Sequence, residues 1–177
     1  MISFIGNRPA IQIGRHQVFD YDTAWLDDAL LRAAKAADQN DFPFVPEIRS
    51  GIVQYLEQAC QLRLLHLHEL FEKVRKMLVK IGCQHIAEHL QPLAPPLTIS
   101  LVHAAMEAGS GYELAFFEKL RGELEELRSH GAEEIRFTGL RESVLILRSA
   151  KKWDKRCEPV LLEVEAFLKN WDNVAAA

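Results

Sequence analysis

The period of the apolar positions changes several times along this chain, and the changes predict its elements. Residues 9–21 hold two short β-prone pieces, Ile11-Gln12-Ile13 and residues 17–21, on either side of Gly14-Arg15-His16, which predicts a hairpin or tight strand pair. Trp25, Leu26, Ala29, Leu30, Ala33, Ala34 and Ala37 then form one helical stripe, with Asp27, Asp28, Arg32 and Lys35 on the other face. Asp22 or Thr23 is placed to cap that helix. Residues 38–46 form a loop by composition, and Pro46 suits the first turn of a second helix carrying Ile48, Ile52, Tyr55, Leu56 and Ala59. Gly51 inside it costs roughly 0.5–1 kcal/mol against Ala; close packing on another helix would account for it. A third helix over 68–81 presents Leu70, Phe71, Val74, Met77, Leu78 and Ile81 on one face and stops at Gly82, a good residue just past a helix end. A short helix over 84–90 completes a compact bundle.

Gln91-Pro92-Leu93-Ala94-Pro95-Pro96 cannot continue a helix and is expected to be an extended linker. After it the character changes. Residues 97–104 predict a buried strand, Gly109-Ser110-Gly111 a break, and residues 112–130 an amphipathic helix with Phe116, Phe117, Leu120, Leu124 and Leu127, stopped by Gly131. Residues 134–138 alternate like a half-buried strand, and residues 142–148 read as a second strand or a short helix, with the lean to strand. Residues 159–171 form a last helix through Val160, Leu161, Val164, Phe167, Leu168 and Trp171. The expected fold class is α+β: a β-hairpin plus small helical bundle over 1–91, then a β-α-β-β-α domain over 92–177.

Composition narrows the function classes. The chain has 177 residues, 49% of them hydrophobic and 26% charged, with formal net charge −4. An acidic chain without a basic stripe argues against direct nucleic-acid binding. Three separated cysteines, Cys60, Cys83 and Cys157, fit neither a disulfide framework nor a CxxC zinc pattern. The first residues lack a signal-peptide pattern, and no apolar run has the length of a bilayer span. The expectation is a cytoplasmic protein without membrane association.

The first half resembles the ATP-cone, the nucleotide-binding regulatory domain of many ribonucleotide reductases and of the repressor of their genes. The resemblance covers about residues 11–90. Tyr21-Asp22, Leu26 and Ala29-Leu30 fit the family's aromatic-Asp pair and first helix without gaps, and Leu70, Val74, Leu78, Gly82 and Ile86-Ala87 follow its helix-Gly-helix ending. Ile11 falls on the family's first hydrophobic position. The family's Lys-Arg pair falls on Ile13 and Gly14, its Asp-Gly pair on Arg15 and His16, and the threonine opening its third helix on Leu67. The aromatic-Arg ending is missing. The resemblance implies a non-catalytic regulatory module for ATP or dATP with nucleotide-bound Mg²⁺, with Ile11 against the base and Arg15 and His16 near the phosphates. A triphosphate calls for charge-assisted bonds, and the missing pair motivates an alternative: an interaction or scaffold protein that kept the packing and lost the ligand. That alternative forms a homo-oligomer or binds a protein partner through apolar surface around Trp153, Trp171 or Leu67.

Other candidate chemistry is thinner. His66 and His68 share a side only in a strand, and His85 and His89 share a helix face near Cys83. Neither pair supplies the three or four converging ligands of a zinc site, so no metal is expected. Gly109-Ser110-Gly111 lacks a phosphate-loop pattern and is a turn before it is a cradle. Cys83 as a reactive thiol would need a neighbouring cation, from Lys80 or His85. The basic cluster Arg148, Lys151, Lys152, Lys155 and Arg156 around Trp153 is expected to be a surface patch.

Overall fold

The computed structural model describes residues 8–175; the leader-peptide reading of the first residues lies in part outside them. The described chain is mixed α+β and mostly helical. It divides into two compact units, Met1–Leu97 with Leu127–Glu134, and Thr98–Glu126 with Ile135–Ala177.

The first unit opens with β1 (Ala10–Ile13) and β2 (His16–Val18), paired antiparallel with Ile13 opposite His16 and Ile11 opposite Val18. Gly14 takes φ +57 in the two-residue loop, where hairpins of this length place a glycine. Helix α1 (Ala24–Ala36) follows, its start held by the Asp22 carboxylate, which accepts from the Ala24 N–H at 2.9 Å. The predicted stripe of α1 is buried from Trp25 through Ala34, while Ala37 lies just past the helix end. Trp25 stands between Tyr21 and Phe71, with ring centroids 6.4 and 6.0 Å away.

Helix α2 (Val45–Gln54) runs directly into a five-residue π-helical turn, Tyr55–Ala59. Gly51 does not pack closely on another helix as expected: a Cβ there would meet nothing within 4 Å. The sequence pattern missed β3 (Leu64–His66), which pairs parallel to β1 with Leu65 beside Ile11 and completes a sheet of order β2-β1-β3. Three residues paired across more than fifty positions leave no local periodicity to detect. Helix α3 (Leu67–Lys80) buries Leu67, Leu70, Phe71, Val74 and Leu78. Its end is a Schellman motif: Gly82, at φ +86, donates to Val79 O and Cys83 to Leu78 O. Ile81 therefore leaves the apolar face and is 54% exposed, against expectation. Helix α4 (Gln84–His89) packs on both α1 and α3, and α3 carries β1 and β3.

The proline-rich stretch is not a solvated linker. Leu93, Ala94 and Pro95 are buried, and the Ala94 N–H donates to Gly131 O at 2.9 Å. Three prolines deny this segment its own helical bonds, and it is satisfied instead by the turn after residue 129.

The second unit departs further from expectation. Strand β4 is only Leu97–Ser100, because the Ser100 hydroxyl accepts from the His103 N–H at 3.3 Å and starts helix α5 (Leu101–Ala108). Helix α6 spans Glu113–Ser129, and its last turn, from Leu127, falls with the first unit. Strand β5 (Ile135–Thr138) pairs with β4. The segment expected as a second strand is helix α7 (Leu140–Leu147), with Ser143, Val144 and Leu147 buried at helical spacing and the Ser143 hydroxyl donating to Leu140 O at 2.7 Å. Helix α8 (Cys157–Ala175) ends the described chain. The order after residue 96 is thus β-α-α-β-α-α rather than β-α-β-β-α. Helix α5 lies along α7, α7 contacts α8, and the Phe117 ring meets Phe167 at 5.4 Å.

Candidate functional site

The hairpin brings the three proposed ligand residues within one short ladder. Ile11 is fully enclosed (0% exposed), Arg15 is exposed in the β1–β2 loop, and His16 is half-buried at the first position of β2. The burial of Ile11 follows from its place in the middle strand of the sheet, over α3. In this conformation it presents no surface to a ligand. Ile13 is also fully buried.

The hairpin is anchored from several sides. Arg8 Nε donates to Glu57 Oε1 at 2.8 Å, and Arg8 Nη1 to Tyr21 O at 3.3 Å. The Tyr21 hydroxyl donates to Pro9 O at 2.8 Å. Burial pushes the Tyr21 phenol up to about 12, a shift that the Arg8 guanidinium partly opposes. Elsewhere in the unit, Arg49 and Asp27 pair α2 with α1 at 2.7 Å, leaving Asp27 Oδ1 enclosed without a bonding partner. Arg32 and Glu133 pair at 2.6 Å, and the bond from Arg32 holds the Glu133 carboxyl below its usual range.

A feature that no local sequence pattern isolates lies on the α3 side of this unit. A groove of about 360 Å³ has Ile52, Leu70, Val74 and Met77 as its floor. Tyr55 forms a wall, and Lys73, Lys76 and Lys80 form the rim. The i, i+3, i+7 spacing of the lysines on α3 was the available signal, masked because exposed helix faces carry lysines routinely.

His66 and His68 have ring centroids 5.6 Å apart, one in β3 and one in α3, and His89 Nδ1 lies 2.8 Å from His85 O. Among the described residues no three His, Cys, Asp or Glu side chains gather as metal ligands. Gly109-Ser110-Gly111 joins two helices, not a strand and a helix, and the Gly111 N–H is used by Leu147 O at 2.9 Å. Cys83 is half-buried, and Cys157 is buried with Sγ 3.6 Å from Asp154 Oδ1. In the basic cluster, Arg148 pairs with Glu113 and Arg156 with Asp154, while Arg141 covers the Trp153 ring at 4.4 Å. Among the described residues no helix is long and apolar enough to cross a membrane. Comparison with protein-family models, with curated proteins and with solved structures finds no match.

Proposed function

We propose that this chain is a non-catalytic regulatory protein whose first unit senses an adenine nucleotide, ATP or dATP with its Mg²⁺. The observation that carries the reading is the three-stranded cover β2-β1-β3 seated on a helical cup, with a cationic side chain, Arg15, exposed at the loop of the cover. Arg15 and His16 meet the phosphates. Ile11 reaches the base only when the cover lifts, so ligand binding and movement of the cover are one event. Binding to the folded state raises its stability by about 2.7 kcal/mol at a ligand concentration 100 times Kd. A melting temperature that rises in millimolar ATP or dATP with Mg²⁺, and less so in Arg15→Ala, supports the reading; no rise with any adenine nucleotide rejects it.

A second reading has its own observation. Ile13 and Gly14 stand where the family grips phosphate, and Ile13 is buried core. On this reading the chain is an interaction or scaffold protein, acting as a homo-oligomer or with a protein partner. Leu67 cannot serve as its docking surface, since it is only 3% exposed, and Trp153 is half-buried beneath Arg141. Light scattering that shows a stable oligomer, together with no nucleotide response, favours this second reading.

A further inference from the structure

We propose that the groove between α2, its π-helical turn and α3 is a binding site for a small amphiphilic anion, separate from the nucleotide reading and independent of it. The ligand class is a molecule with an apolar body and a carboxylate or phosphate head. Three observations converge on it.

The groove is amphiphilic in the required sense. Its floor, Ile52, Leu70, Val74 and Met77, offers only carbon and sulfur, and Met77 is half-buried and unbranched, so it adjusts to varied shapes. Its volume of about 360 Å³ lies within the range of roughly 300–1,000 Å³ common for small-ligand sites.

The rim carries one sign of charge. Lys73, Lys76 and Lys80 recur on one face of α3, no carboxylate lines the groove, and none of the three forms an ion pair among the described residues. Several arginines of the molecule are matched with carboxylates, as at Arg8, Arg32, Arg49, Arg75 and Arg148. Three ammonium groups and no carboxylate around one groove make it locally positive in a chain of net charge −4. An anion head among them gains attraction, while a cationic head is repelled.

The backbone is shaped at this place. The π-helical turn begins at Tyr55, and the Cys60 N–H closes it on Tyr55 O at 2.8 Å. Single π turns of this kind recur at functional sites. The turn presents the Tyr55 ring to the groove, where Lys73 Nζ stands 5.5 Å from its centroid. Cation–π attraction holds that ammonium at the rim.

A small molecule fits better than a partner helix, because the apolar floor is only four side chains and the cations crowd one edge of it. A docked helix would need anchors repeated over two turns or more.

The test is calorimetric titration of the full chain with decanoate, decyl phosphate, decanol and decyltrimethylammonium, each below its micelle concentration. The expected result is saturable one-to-one binding of an anionic member, about tenfold or more tighter than the alcohol or the cation. Decanoate against decyl phosphate decides which head group the site takes. The exposed-lysine triple variant Lys73→Gln/Lys76→Gln/Lys80→Gln is expected to weaken that binding by about tenfold or more without changing the melting curve. Met77→Glu, which places a carboxylate in the floor, is expected to abolish it. Equal affinity for all head groups, or unchanged binding in both variants, overturns the proposal. So does binding of an acidic helical peptide in place of every small anion. A nucleotide response lost in Arg15→Ala but kept in the lysine variant separates failure here from failure at the hairpin.

Discussion

Replacing one hydrogen by a methyl group should have opposite effects at two places in the first unit. Gly131 sits at φ +91, and a Cβ there would lie 2.4 Å from Pro92 O, 3.0 Å from Pro92 C and 3.5 Å from Leu93 Cα. All three atoms are backbone, so no rotamer change relieves the contact. The conformation alone costs an L-residue roughly 1–2 kcal/mol. Relief by separation would also break the bond from Ala94 N–H to Gly131 O, worth about 0.5–1.5 kcal/mol, and lift Leu93 and Ala94 from the core. These two terms for Gly131→Ala sum to about 1.5–3.5 kcal/mol of destabilisation, which at about 2–4 °C per kcal/mol lowers Tm by roughly 3–14 °C. Gly51 meets nothing within 4 Å and has no positive φ, so Gly51→Ala should raise stability by roughly 0.5–1 kcal/mol. Differential scanning calorimetry of the two variants beside the parent reads both signs. A Gly131→Ala protein that melts with the parent would refute the packed role assigned to residues 92–96.

Three further outcomes follow from the same geometry. Trp25→Ala removes the ring between Tyr21 and Phe71 and should cost about 3–5 kcal/mol in urea denaturation; a cost under 1 kcal/mol would mean that the ring is not core. Tyr21, with its phenol raised to about 12, stays neutral when folded at pH values where an unfolded tyrosine ionises. Its contribution is therefore fully present below about pH 10 and is lost as pH rises from there toward 12. Absorbance titration at alkaline pH should find one of the three tyrosines ionising late in the parent and no such step in Tyr21→Phe. Arg49→Met leaves the Asp27 carboxylate without its ion-pair partner and should cost no more than about 1 kcal/mol, because the pair is partly exposed.

The sequence was most informative where local chemistry decides structure. The hairpin turning at Gly14, the stripe from Trp25 to Ala34 and the Gly82 stop each act within a few residues, and each is found in place, although His16 opens β2 rather than lying in the turn and Asp22 bonds only the Ala24 N–H ahead of an uncapped Thr23. It misled where a short apolar run serves two periods. Residues 97–104 alternate for four positions as a strand, and only the Ser100 cap turns the rest into α5. Residues 142–148 show the same ambiguity, settled for a helix by burial of Ser143, Val144 and Leu147 against α5 and α8. Strand β3 depends on pairing with β1 across the whole helical segment between them, which no local window contains. The candidate site was legible in its hairpin position alone. That Ile11 is enclosed depends on the sheet and helices around it, and the lysine-rimmed groove exists only once α2, the π turn and α3 are assembled.

The central claim, that the hairpin-covered unit responds to adenine nucleotide, is tested most directly by thermal denaturation of the full chain with and without ATP or dATP and Mg²⁺. The account expects a Tm increase that grows with nucleotide concentration, reaching roughly 5–10 °C at 100 times Kd, and that shrinks in Arg15→Ala. An unchanged Tm at millimolar nucleotide in both proteins would contradict it.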